Sequence, residues 1–275
     1  MQNKYIIKNK ILESNDSAGI SVFNKALFFD FCVYSNIKVV QGKMFLPDLE
    51  IEKLIESAKA IGIDCPYDLL EIIEMARLLI LKNDLRDALI RILLIGQQKD
   101  SPAEIYLFAV GLTFYPNKFY KHGVKLATYN GERFFPTAKT KNLLMSYVAY
   151  NHASSKGAID ALLIDRDNNI REGTRCSFYA IKGDSLIIPP KEMVLEGITK
   201  KIIIEIANKI MDVKEQPIPL MEISAYDEFF ISASTMNIMP VAQIDDIVIG
   251  PGVGKKTFEL MKLYKEHTVK LHQSL

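Results

Sequence analysis

The longest apolar runs of this chain are only long enough for strands. ALIRILLI at 88–95 and IYLFAVGLTFY at 105–115 read as buried strands, and stretches such as LLILK and RILLIG stop far short of the ~20 residues that cross a bilayer. Between the runs, residues 49–62 and 66–83 repeat apolar side chains every three or four positions, the spacing of amphipathic helices. Strand-length apolar runs alternating with amphipathic helices predict an α+β fold.

The remaining segments extend the pattern. NKYIIKNKIL at 3–12 and IKVVQGKMFL at 37–46 have strand character around turn residues, and PNKFYKHG is a polar, proline-containing connection. KLATYN reads as a strand, and 140–156 has helical periodicity that ends before Gly157. AIDALLID, CSFYAIKGDSLIIPP with its hairpin at Gly183-Asp184, EFFISAS and VAQIDDIVI are strands; GITKKIIIEIANKIM opens a helix. At 275 residues two domains are expected, a small one over 1–117 and a larger one over 118–275.

Charge narrows the partners. Thirty-four basic against thirty-three acidic residues, with no long block of one sign, predict no nucleic-acid surface. Cys32, Cys65 and Cys176 are odd in number and lack paired spacing, so neither a disulfide framework nor a structural zinc site is expected. The four histidines show no metal-ligand spacing, and no metal is assigned. The N-terminal MQNKYIIKNK has no signal-like apolar region, and a soluble protein of the reducing cytoplasm is the expectation.

Lys139 alone is one lysine among many. Its context is KTKN, then a helix, GAIDALL, a turn, REG, a strand and hairpin, and a closing GIT. In that order and spacing the chain resembles the fold type IV pyridoxal-phosphate enzymes, the group of branched-chain and D-amino-acid aminotransferases and aminodeoxychorismate lyase. The likeness is good over 138–242 and weaker over 17–262. It implies a two-domain α+β fold of the D-amino-acid aminotransferase type, carrying pyridoxal 5'-phosphate.

By matched position, the resemblance makes Lys139 the lysine that forms the Schiff base, Glu172 the carboxylate at the pyridine nitrogen, and Leu195 the side chain packed on the ring. Ile198 and Thr199 would bind the phosphate through amides at a helix start, where unpaired N–H groups favour an anion. Ser234, with Thr235 adjacent, matches the phosphate ligands at a strand end. Where the family has H-x-x-R-L, this chain reads EIEKL, and Lys53 stands for the arginine. Lysine offers a point charge in place of a planar fork. Without the resemblance, Lys53 is a solvated helix residue paired with Glu50 or Glu56, and Thr199 a helix cap.

Other positions depart from the pattern. The family's G-D-G-V-(F/Y)-E is FDFCVYS here, with Val33 at the aromatic's place and Tyr34 one residue later. LIG at 94–96 replaces a Thr-Arg-Gly stretch, and GQQKDSPAEIY lacks the arginine and histidine of the D-amino-acid carboxylate trap. The resemblance therefore implies an aminotransferase moving an amino group between an amino acid, branched-chain among the options, and a 2-oxo acid, with a homodimeric assembly. A lyase resembling aminodeoxychorismate lyase, or a cofactor-binding relative without turnover, stays open. GPGVGKKT at 250–257 has the wrong spacing for a nucleotide-binding loop and reads as a turn capping the last helix.

Overall fold

The computed structural model describes residues 4–250 and 252–273. Asn3 of the first expected strand, Pro251 of the glycine loop and the last two residues of the expected second domain lie outside them. The chain divides into two compact units. Of the described residues, the first holds 4–112 together with 138–142, and the second holds 113–137 and those from 143 to 273. The change of unit falls at 112/113, ahead of the expected 117/118, and Lys139 belongs to the first unit where the second was expected.

In the first unit, β1 (Tyr5–Lys8) and β2 (Ile11–Ser14) form a hairpin, followed by α1 (Lys25–Phe28), β3 (Cys32–Val40) and β4 (Lys43–Phe45). Then come α2 (Pro47–Ala60), α3 (Leu69–Asn83), β5 (Ala88–Ile95) and β6 (Glu104–Val110). The strands make one sheet in the order β2-β1-β6-β5-β3-β4. α2 starts at Pro47, whose missing N–H costs nothing at a first turn. α3 starts with a capping box between Asp68 and Glu71. Both helices bury their apolar stripes on the sheet, in a core that includes Ile37, Ile51, Leu54, Ile72 and Leu79. The strand expected from 37 begins five residues earlier, at Cys32, because its first residues pair with β5. β6 ends at Val110, short of the expected 115.

In the second unit, α4 (Asn117–His122) leads into β7 (Val124–Asn130), α5 (Leu144–Ser155), β8 (Asp160–Ile164) and β9 (Ile170–Gly173). β10 (Ser177–Lys182), β11 (Ser185–Ile188), α6 (Ile198–Ala207) and β12 (Asp212–Glu215) follow, then β13 (Glu228–Ala233), β14 (Asn237–Ile244), β15 (Ile247–Val248) and α7 (Lys255–Gln273). α4 occupies the segment expected to be a plain connection. It has no helical apolar stripe of its own, and its Phe119 and Tyr120 pack on the core of this unit, so tertiary contact supplies what local propensity does not. The sheet runs β12-β11-β10-β13-β14-β7-β8-β9, with β15 on β14. β9 also pairs with β10 through Glu172 and Ser177, which closes a ring of strands. α5 carries small residues, Ala149 and Ala153, against Ala127 and Ala161, allowing close approach of helix and sheet.

The three cysteines are free, and burial pushes the Cys32 thiol up to about 11. Among the described residues no helix is long and apolar enough to cross a membrane.

Candidate active site

Lys139 sits in the short return of the chain to the first unit. β4 covers only the far end of one edge of β3, pairing with Lys38, Val39 and Val40. The near end of that edge would otherwise leave backbone groups unpaired. Residues 139–141 fill it. Tyr34 donates its N–H to the Lys139 carbonyl at 3.0 Å, and Lys141 donates to the Cys32 carbonyl at 2.9 Å. Thr140 bridges Val33. On the helix side, the Lys139 N–H donates to the Ser57 hydroxyl at 3.1 Å. The same hydroxyl donates to the Lys53 carbonyl at 2.7 Å.

The Lys139 side chain, 18% exposed, places Nζ 3.9 Å from a Glu50 carboxylate oxygen and 5.5 Å from the centre of the Tyr34 ring. Val33, at the place expected for the aromatic, is fully buried in the core, and Tyr34 is the aromatic beside the lysine. Strand alternation is the reason: successive residues of β3 face opposite ways. The structure thus joins Lys139 and Lys53 through Ser57. The Lys53 ammonium lies 3.4 Å from the exposed Glu56 of the next turn.

In the second unit, Glu172 is held where β9 closes onto β10. Its carboxylate accepts the Leu195 N–H at 3.3 Å and lies 3.4 Å from the Arg133 guanidinium. Burial raises its proton affinity, and Arg133, the Leu195 amide and Lys200 pull it back toward the charged form. Asp160, in the GAIDALL stretch, is likewise raised by burial and is hydrogen-bonded by the Thr174 hydroxyl.

Ile198 and Thr199 open α6. Gly197 precedes them, and no side chain caps this helix start. Lys200, in the same first turn, is 2% exposed, and its ammonium has no hydrogen-bond partner. Burial lowers its proton affinity. The Thr199 hydroxyl meets the Tyr264 phenol. Ser234 and Thr235 form the turn between β13 and β14, with the Thr235 hydroxyl against Tyr115. The glycine loop before α7 is differently occupied. The Glu228 carboxylate accepts the Lys256 and Thr257 amides at 3.1 and 2.8 Å. A Cβ on Gly254 would come within 1.9 Å of that side chain, so the loop is built around an internal carboxylate.

Taken unit by unit, the donors suit a phosphorylated pyridine. The second unit offers a buried carboxylate for a ring nitrogen and an uncapped helix start with an unpartnered ammonium for an anion. The first offers a lysine anchored through its main chain. Glu50, Ser35, Ser57, Arg133 and Lys200 were not singled out from sequence. The available signal was polarity on an apolar stripe, since Glu50 and Ser57 share the buried face of α2 with Ile51, Leu54 and Ala58.

Comparison with known proteins gives the fold and the family. The branched-chain amino acid aminotransferase of Escherichia coli superposes with a TM-score of 0.89 at 24% identity, covering 96% of this chain and 94% of that one. A second branched-chain amino acid aminotransferase, from T.th. and solved with pyridoxamine 5'-phosphate, gives 0.89 at 23% identity over 98% and 95%. The fold is therefore that of the fold type IV aminotransferases. The model of the family "Amino-transferase class IV" matches residues 33–244, and the chain belongs to that family. It is a pyridoxal-phosphate-dependent aminotransferase. A putative branched-chain-amino-acid aminotransferase of Methanocaldococcus jannaschii is 29% identical over 96% of both chains. A D-alanine aminotransferase of Listeria monocytogenes is 27% identical over 96% of this chain and 95% of its own.

Proposed function

We propose that this enzyme moves the amino group of a branched-chain L-amino acid to a 2-oxo acid in the cytoplasm, as a homodimer, with Lys139 bearing the cofactor. The observation that carries the residue assignment is the anchoring of the Lys139 main chain by hydrogen bonds to Tyr34 and Ser57, which fixes the base of its side chain. The first curated relative is named for branched-chain amino acids, and the arginine and histidine of the D-amino-acid carboxylate trap are missing from GQQKDSPAEIY. Both support the substrate.

When bound, pyridoxal phosphate supplies an electron sink for the pair left at the substrate α-carbon. Glu172 would face the pyridine nitrogen and favour a proton there, and Arg133, 3.4 Å away, pulls its carboxyl back toward the charged form against the effect of burial. Leu195, tied to Glu172 through its amide, would pack on the ring. The amides of Ile198 and Thr199, the buried Lys200 ammonium, the hydroxyls of Ser234 and Thr235, and Lys53 would hold the cofactor's phosphate. Lys139 Nζ takes the α-proton as general base and returns it as general acid.

Borohydride reduction of the holoenzyme followed by peptide mapping tests the lysine. The cofactor mass is expected on Lys139, and an adduct elsewhere overturns the assignment. Half-reactions with leucine, valine, D-alanine and aminodeoxychorismate test the substrate. Faster conversion of D-alanine, or pyruvate release from aminodeoxychorismate, overturns the branched-chain reading. Gel filtration with light scattering tests the dimer.

A further inference from the structure

Glu50 breaks the pattern of its own helix. It lies in the first turn of α2 on the stripe occupied by Ile51, Leu54 and Ala58, and it is 6% exposed. An apolar residue there would satisfy packing without the cost of burying a carboxylate. The Ser35 hydroxyl of β3, itself fully buried, donates to Glu50 Oε2 at 2.7 Å. That same oxygen is the one 3.9 Å from Lys139 Nζ. The chain thus positions a buried carboxylate at a helix start, aims it with a strand hydroxyl, and directs it at Lys139, whose backbone is pinned by both elements.

We propose that Glu50 is the positioning residue of Lys139: its carboxylate is the counter-ion that receives the lysine head whenever that head carries a proton and no cofactor bond. The inference rests on the reading of Lys139 as the cofactor lysine. In the half-reaction that consumes the amino acid the substrate α C–H bond would break and its proton would go to the Lys139 amine, the bound cofactor being the electron sink; in the return half-reaction the lysine would hand a proton to the new α-carbon. The resulting ammonium needs a negative partner in a partly desolvated place, and Glu50 is that partner. When the proton is passed on, Lys139 returns to the neutral amine and Glu50 is unchanged, so the step consumes nothing. The Tyr34 ring steadies the ammonium on another side.

The test begins on the cofactor-free protein. Acetylation of Lys139 by an N-hydroxysuccinimide ester, read by mass spectrometry against the exposed Lys59, is expected to be about tenfold faster in Glu50→Gln than in wild type, because Nζ loses the ion pair that holds it. Ser35→Ala leaves the carboxylate but removes its orienting donor, and about threefold is expected. In the holoenzyme the primary isotope effect on deamination of α-deuterated leucine should rise in both variants, as proton transfer becomes slower relative to other steps. Unchanged acetylation and an unchanged isotope effect in Ser35→Ala and Glu50→Gln overturn the proposal. If Glu50→Gln does not fold, Ser35→Ala decides alone. Borohydride mapping of wild type separates the two levels. An adduct away from Lys139 removes the underlying reading, whereas an adduct on Lys139 with unaltered acetylation removes only the role of Glu50.

Discussion

The main-chain N–H of Lys139 donates to the side-chain hydroxyl of Ser57 at 3.1 Å, across 82 residues of sequence. Ser57 passes the connection on to the carbonyl of Lys53, so one hydroxyl ties the proposed cofactor lysine to the helix that carries the proposed phosphate cation. Ser57→Ala should cost about 1–2 kcal/mol in urea unfolding, since it leaves the Lys139 N–H without its acceptor. Cofactor retention should fall alongside. Wild-type values of both would show that the hydroxyl positions nothing.

Glu172→Gln should keep the acceptor for the Leu195 amide yet slow single-turnover deamination roughly a hundredfold, because a neutral amide does not hold the ring nitrogen protonated. A pH signature accompanies it. Burial raises Glu172 in the folded state, so the folded chain binds this proton more tightly than the unfolded one. The stability from this group is full below the unfolded carboxylate range and is lost as pH rises through the raised folded value. Urea unfolding of the cofactor-free proteins across pH should show that loss in wild type and not in Glu172→Gln. Parallel profiles would contradict the assignment.

Lys200→Met should raise the stability of the cofactor-free protein near neutrality by about 1–3 kcal/mol, the scale of removing an unsatisfied buried polar group. The sign follows from burial, which lowers Lys200 in the folded state. The cost of the buried charge is present below that lowered value and is relieved as pH climbs toward the unfolded lysine range. The same variant should bind pyridoxal phosphate more weakly. Lower stability together with undiminished affinity would mark Lys200 as a packing residue only.

Lys53 faces a sharper alternative, because its ammonium stands 3.4 Å from exposed Glu56. A surface pair of that kind is worth well under about 1 kcal/mol. Lys53→Ala should therefore barely change unfolding of the cofactor-free protein, while raising the cofactor dissociation constant about tenfold or more, the scale of a charge-assisted hydrogen bond. Lys53→Arg should preserve or improve binding. Equal dissociation constants for wild type and both variants would remove Lys53 from the phosphate set.

Glu228→Ala should cost about 1–2 kcal/mol, because the first amides of α7 lose the carboxylate that caps them. The wild-type loop should not bind ATP in equilibrium dialysis, since an anion already occupies those amides. ATP binding that disappears in Gly254→Ala would reverse the capping reading.

Local signals carried much of the fold. The apolar spacing of 49–62 and 66–83 became α2 and α3, and 88–95 became β5 with the same bounds, because burial on one face is written into periodicity. The turn at Gly183-Asp184 became the β10–β11 hairpin, with Gly183 at a φ of 57°, a backbone region that glycine enters without strain. α4 was hidden because its helix depends on Phe119 and Tyr120 meeting a core built from distant strands. The unit that holds Lys139 was hidden for a related reason: the free edge of β3, over a hundred residues earlier in the chain, captures residues 139–141.

By itself, the sequence determined the order of most strands and helices, the absence of a long charged or membrane-length tract, and the spacing of KTKN, REG and GIT on which the family resemblance rests. Those properties depend on residues close together along the chain, where periodicity and motif spacing are visible. Only the tertiary structure decided that Ser57 pins Lys139, that Ser35 aims Glu50 at its amine, and that Arg133 and the Leu195 amide converge on Glu172. Such partners are brought together by sheet pairing and helix packing across many residues. A hydrogen bond depends on position to within a fraction of an ångström, which no local pattern of residue types encodes.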